Sequence, residues 1–198
     1  MKLQYFKSSG ANSTQKETDT PFVRPDSAIF NINSDCMANT YKKVYLHLVF
    51  AVKNRQALLH KDWRGRLFGY LFESMNKRGN FTYAVGGYTD HVHIVFDYNG
   101  KELIEDLVRE IKKSSNHFIN ENNLCPYKFE WQAGYGLFSE NHRSISMIIN
   151  YVKNQEAHHS MKNKFKEEYI KMLQDYEIDF KEEYIFEFWD ETDEVGLR

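Results

Sequence analysis

Apolar and polar residues follow two different periods along this chain. Alternation with a period of two predicts strands at 41–53, 81–88, 90–96 and 129–138. Apolar residues spaced three and four apart predict helices at 60–77, 101–120, 141–158 and 165–176. The order strand, helix, strand, strand, helix, strand is the split βαβ, ferredoxin-like (RRM-like) arrangement. We therefore expect an α+β fold: an antiparallel sheet with helices on one face, an added C-terminal helix, and an opposite face open to a ligand.

Three segments differ in composition. Residues 1–36 are polar, lack apolar periodicity and contain Pro21 and Pro25, which predicts a flexible N-terminal leader. Residues 37–188 carry the periodic pattern and form the predicted domain, and 189–198 form a short C-terminal tail. Hydrophobic residues make up 41% of the chain and aromatic residues 16%, as expected of a globular protein.

Charge is distributed unevenly, although the formal net charge is only −2. Lys and Arg outnumber Asp and Glu between 37 and 164, whereas 165–198 are strongly acidic. The middle of the chain therefore suits contacts with phosphate, although ordinary solvated charge explains it equally well. The two cysteines, Cys36 and Cys125, belong to no CxxC pair, which argues against structural zinc and favours a reducing cytoplasm. No apolar run reaches the roughly 20 residues that cross a membrane.

Two histidines share one face of the strand at 90–96. Side chains on a strand alternate, so His91 and His93 project together, with Val92 on the other side. Two neutral imidazoles on a rigid face can hold a divalent cation. Taken alone, the pair is explained as well by two surface histidines. His47, on the strand at 41–53, lies either in packing or near the same face.

Several stretches together resemble the HUH single-tyrosine transposases of the insertion sequence 200/605 family, in which HUH stands for His, hydrophobic residue, His. The stretches that carry the likeness are His91-Val92-His93, Tyr151–Gln155, Tyr45–Ala51, Leu107–Ser115 and Trp131–Gly136. The ordered set is far more specific than the His-Val-His element alone.

The resemblance implies a role for each matching residue. His91 and His93 would bind a divalent metal, Mg²⁺ or Mn²⁺, with Gln155 as third ligand, and Tyr151 would be the nucleophile. Such enzymes cleave and rejoin single-stranded DNA beside hairpin ends of a mobile element through a 5′-phosphotyrosine intermediate. The resemblance also implies a homodimer, in which the tyrosine of one subunit can serve the histidines of the other.

Other assignments are more open. Basic side chains on two predicted helices are candidates for DNA contacts: Arg109, Lys112, Lys113 and Lys153. Tyr135 is the next candidate nucleophile after Tyr151. Two alternatives remain: a non-catalytic module that binds single-stranded nucleic acid on an open sheet, and a domesticated HUH nuclease that acts on repeated hairpins.

Overall fold

The computed structural model describes residues 22–23, 41–53, 58–158 and 164–188. Its centre is a five-stranded antiparallel sheet in the order β1-β3-β4-β2-β5. The strands are β1 (Phe22–Val23), β2 (Tyr45–Ala51), β3 (Phe81–Gly87), β4 (His91–Asp97) and β5 (Gly136–Glu140). The predicted α+β class and split βαβ topology are confirmed.

The helices divide between the two faces of the sheet. They are α1 (Lys61–Lys77), α2 (Ile104–Glu121), α3 (Ile145–Lys153), α4 (Gln155–His158) and α5 (Lys164–Asp175). On the first face, α1 and α2 bury their apolar stripes against Leu48, Phe50, Ile94 and Phe96 in the largest core cluster. We call this the apolar face.

The second face carries His47, His91 and His93, and we call it the histidine face. The expectation that this face stays open is wrong. Ile145 and Val152 of α3 pack against Tyr83, Ala84 and Val95 of the sheet. Phe165, Tyr169 and Leu173 of α5 cover Val49 and Ala51, and the following aromatic residues Phe180, Phe186 and Phe188 pack with them. The acidic end of the chain therefore docks on its own domain as far as residue 188.

The predicted strand at 129–138 is mostly irregular. Regular pairing with β2 begins only at Gly136, and upstream the structure has one isolated bridge, between Trp131 and Val52. Two features explain the difference. The Lys112 ammonium donates hydrogen bonds to the carbonyls of Gln132 and Gly134, and Gly134 has a φ of +76°, which is incompatible with a strand.

The predicted helix at 141–158 is two helices. It is interrupted at Asn154, whose N–H donates to the carbonyls of both Asn150 and Tyr151. Gln155 therefore opens α4 and does not continue α3.

Two residues of the predicted leader belong to the sheet, because Phe22 and Val23 pair with Val85 and Ala84 of β3. The rest of the predicted leader up to residue 36, and the tail at 189–198, lie outside the described residues, and their assignment stays a prediction. Within the described part of the chain, no helix is long and apolar enough to span a membrane.

Candidate active site

The two histidines of β4 are fully buried and lie beside each other on the histidine face. Their ring centroids are 4.8 Å apart and their planes nearly perpendicular. His91 Nδ1 lies 2.7 Å from a carboxylate oxygen of Asp90. A carboxylate only accepts, so it holds the ring hydrogen on Nδ1 and leaves the Nε2 lone pair free. His91 Nε2 faces Gln155 Oε1 at 3.3 Å, so two electron-pair donors point at each other.

His93 makes two contacts of different kinds. Its Nδ1 lies 2.9 Å from His47 Nε2, at hydrogen-bonding distance. Its Nε2 lies 3.1 Å from a carboxylate oxygen of Glu168, but the two are not aligned for a hydrogen bond, and this buried nitrogen has no hydrogen-bond partner among the described residues. We give the hydrogen-bond geometry more weight than the short distance, and regard Nε2 as an atom that points into a shared space.

Gln155 reaches this space from α4. The adjacent Glu156 fixes α4 to α1: its carboxylate accepts a hydrogen bond from Lys61 at 2.5 Å and lies 3.6 Å from Arg64. Gln155 is 1% exposed, and its amide nitrogen lies 3.4 Å from the Glu168 carboxylate. The amide oxygen therefore points to His91 while the amide nitrogen points to Glu168.

Tyr151 comes to the histidines on the last turn of α3. Its ring meets that of His93 edge to face, with 5.9 Å between centroids. Gly86, opposite His93 in the β3–β4 pair, makes this approach possible. A Cβ at Gly86 would lie 2.5 Å from the carbonyl oxygen of Val152, far inside contact distance. The missing side chain thus lets the end of α3 lie directly on the sheet.

The buried donor set fits a divalent cation. Ligand atoms of His91, His93 and Glu168 all lie within 4.8 Å of one another, and the Gln155 oxygen adjoins them. Burial lowers the pKa of His93 to about 3, so this imidazole is neutral, as a metal ligand must be. Burial also lowers the pKa of His91, but the charges of Asp90 and Glu168 outweigh it and the net change is upward. The site therefore favours a positive charge at His91.

The Tyr151 hydroxyl has a raised pKa. Burial is the largest cause, and the negative charge of Glu168, to which the hydroxyl hydrogen-bonds, adds to it. A phenol in this environment is a weak nucleophile unless positive charge is supplied nearby.

Helix α5 closes one side of the site. Phe165 stacks flat on His91, with 3.9 Å between centroids and 6° between planes. Beside Tyr151 and Glu168 a cavity of about 540 Å³ remains, and it gives a substrate room to approach the hydroxyl. Its walls also include His47, Glu140, Met172 and Tyr176.

The sequence profile of a family described as "Transposase IS200 like" matches residues 40–155, more than half of the 198 residues. The chain belongs to this family. The match contains His91, His93, Tyr151 and Gln155, and it ends before α5. Search of the curated proteins finds no match.

Two solved structures of similar fold accompany this assignment. One is a protein of Deinococcus radiodurans R1 provisionally named a transposase, with 21% identity over 60% of this chain and 95% of the other, and a TM-score of 0.48. The second is a REP-associated tyrosine transposase bound to a REP hairpin, with 17% identity over 62% of this chain and 73% of the other, and a TM-score of 0.47.

Within this IS200-like chain, the predicted DNA-contacting residues do not all lie near the site. Arg109, Lys112 and Lys113 belong to α2, which packs on the apolar face. The exposed Arg109 pairs with Asp106, and the Lys112 ammonium is engaged by backbone carbonyls. Lys153 alone of the four lies on the Tyr151 helix. Tyr135 packs against the core of the apolar face, away from the histidines.

Sequence reasoning missed two site residues of this family member. Asp90 directly precedes His91, and a carboxylate beside a candidate ligand was the available signal. Glu168 is harder to find because it lies beyond the family match, among other acidic residues. The signal is its position on α5, three residues after Phe165 and thus on the buried side of that helix.

Proposed function

We propose that this chain is a metal-dependent transposase that cleaves and rejoins single-stranded DNA at hairpin ends, with Tyr151 as nucleophile. The observation that carries the proposal is the contact of Tyr151 with His93 in one buried cluster that also holds His91, Gln155 and Glu168. Family membership supplies the DNA substrate class, and the clustered ligand atoms supply the reason for the metal.

His91 and His93 would hold the metal through their Nε2 atoms, with oxygen from Gln155 and Glu168. The mixture of nitrogen and hard oxygen ligands suits Mn²⁺ or Mg²⁺. When bound, the cation supplies positive charge that polarises a phosphodiester and favours the phenolate form of Tyr151.

The reaction is a transesterification. The Tyr151 oxygen forms a bond to phosphorus, the bond from phosphorus to the 3′ oxygen breaks, and a free 3′-OH leaves. The phenol proton passes to a nearby acceptor, and Glu168 is the carboxylate that hydrogen-bonds it. The resulting 5′-phosphotyrosine retains the energy of the broken ester, so rejoining needs no ATP.

The assembly of the site bears on the subunit arrangement. In this chain Tyr151 contacts His93 of the same polypeptide, which favours a site built in cis. The expected homodimer with sites composed in trans stays a prediction. Mixing Tyr151→Phe with His91→Ala protein distinguishes the two, because only a trans site restores cleavage. The expected cytoplasmic location rests on the cysteine usage alone.

The decisive experiment is incubation with single-stranded element ends and Mg²⁺ or Mn²⁺, followed by detection of a covalent protein–DNA adduct on a denaturing gel. We expect an adduct with the wild-type chain and the Tyr135→Phe control, and none with Tyr151→Phe. An adduct that persists in Tyr151→Phe contradicts the assignment of the nucleophile. A wild-type chain that binds the DNA without any adduct supports the non-catalytic binding module.

A further inference from the structure

Behind His93, on the side away from the metal ligands, lies a line of buried polar groups that the proposed reaction does not use. His47 lies on β2 directly opposite Val95, which makes it the diagonal neighbour of His93 across the strands. This diagonal allows the two rings to meet, with 5.1 Å between centroids and 2.9 Å between His47 Nε2 and His93 Nδ1. The other ring nitrogen of His47 faces a carboxylate oxygen of Glu140 at 3.8 Å, and both side chains are 5% exposed.

Glu140 is itself held in place. One of its oxygens accepts a 2.6 Å hydrogen bond from the Tyr176 hydroxyl, which follows α5. The other accepts a 3.3 Å hydrogen bond from the Ser144 hydroxyl, just before α3. Burial raises the pKa of Glu140, but its contacts with His47, Tyr176 and Ser144 outweigh this and the net pKa is lowered. Glu140 is therefore a fixed anion that can accept but not donate.

A fixed anion at one end decides where the hydrogens lie along the line. It favours an N–H on His47 Nδ1, which leaves His47 Nε2 as an acceptor in the neutral ring. An acceptor there favours an N–H on His93 Nδ1, which leaves the lone pair of His93 on Nε2. The opposite arrangement would place the hydrogen of His93 on Nε2 and block that atom as a ligand.

We propose that Glu140 and His47 form a positioning relay that sets the His93 tautomer in which Nε2 is free to bind the metal. His47 and Glu140 touch neither metal nor substrate and act through His93. The inference rests on the proposed metal function for its purpose, but the tautomer itself is a property of the metal-free protein. Partners of this kind at metal sites are worth about 10–100-fold in metal affinity.

The test uses the full chain with two measurements. Side-chain ¹⁵N NMR of the metal-free protein reports which nitrogen of His93 carries hydrogen, and titration with Mn²⁺ alone, followed by electron paramagnetic resonance, reports affinity. His47→Leu removes the acceptor and keeps an apolar packing group. His47→Gln restores an amide oxygen that accepts and an amide N–H that donates. Glu140→Gln keeps the shape but replaces an acceptor-only group, and Glu167→Gln on exposed α5 surface is the matched charge control.

We expect the wild-type chain to carry hydrogen on His93 Nδ1. We expect His47→Leu and Glu140→Gln to lose this preference and to bind Mn²⁺ about 10–100-fold more weakly. His47→Gln should recover most of both signals, and Glu167→Gln should match the wild type. If His47→Leu does not fold, Glu140→Gln decides alone. An unchanged His93 tautomer in the variants overturns the relay, and so does unchanged Mn²⁺ affinity. Absence of Mn²⁺ binding by the wild type would instead overturn the metal function, while the NMR reading would still decide the relay.

Discussion

The two faces of one sheet have different compositions and different purposes, although they share the same strands. On β4, Val92, Ile94 and Phe96 enter the apolar face, while His91 and His93 enter the histidine face one residue apart. Both faces are fully buried at these positions. The apolar face gains stability from packing, whereas the histidine face confines imidazoles and a carboxylate that would be better solvated in water. Such an arrangement is expected where chemistry, and not stability, selects the residues.

The most direct test of this comparison uses two neighbours on β4. Ile94→Ala leaves a cavity in the apolar core and should lower the free energy of unfolding by about 2–5 kcal/mol. His93→Ala should abolish formation of the covalent adduct while the metal-free protein keeps its stability, because the substitution removes a costly buried imidazole. Urea unfolding and the adduct assay on both variants check this. Loss of adduct in a stably folded Ile94→Ala protein would contradict the division of roles.

Gly86 tests whether the histidine face depends on close packing of α3. In Gly86→Ala the new methyl group meets the Val152 carbonyl, so α3 must shift away from the sheet. We expect a loss of about 1–3 kcal/mol in stability and, because Tyr151 is displaced from the phosphate, a fall in cleavage on the order of 100-fold. Combining it with Val152→Ala should restore neither, since the obstruction is a backbone atom. Recovery in the double variant would show that side-chain crowding is the cause.

Glu168 tests whether α5 belongs to the metal site. Glu168→Gln removes a charged oxygen ligand and should weaken Mn²⁺ binding by about 10–100-fold, a loss comparable to that of a supporting partner. Gln155→Ala should weaken it by a similar factor, with partial rescue at high Mn²⁺, because water can replace an amide oxygen. Calorimetric titration measures both, with Glu167→Gln as control. Equal affinity in Glu168→Gln and Glu167→Gln would leave Glu168 outside the ligand set.

How far the sequence predicts this molecule differs between the faces. The period-two pattern of β4 assigns Ile94 and His93 to opposite sides correctly, because alternation is a local property of a strand. The approach of Glu168 is not local: it depends on the way α5 returns across β2, and its sequence resembles any solvated acidic helix. The predicted strand at 129–138 is wrong for a related reason, since Lys112, distant along the chain, captures two of its carbonyls.

The smallest effect concerns that lysine, a cation on the apolar side. Burial lowers the pKa of Lys112 from 10.5 to about 8. Between these values the unfolded chain binds the proton and the folded chain does not, so stability should rise as pH increases from about 8 towards 10. Lys112→Met lacks this contribution. Urea unfolding of both proteins at pH 7.5, 8.5 and 9.5 should show a steeper rise for the wild type, and parallel curves would contradict the assignment.

The interruption at Asn154 divides the catalytic residues between two bodies that are anchored independently. Tyr151 belongs to α3, which rests on β3, whereas Gln155 belongs to α4, which Glu156 fastens to α1. A rotation about the joint at Asn154 can therefore swing the tyrosine, and any DNA end attached to it, while the amide keeps its place beside His91. In mechanical terms the site consists of a stationary clamp and a hinged arm, which is the division needed to carry one DNA end away and bring another in.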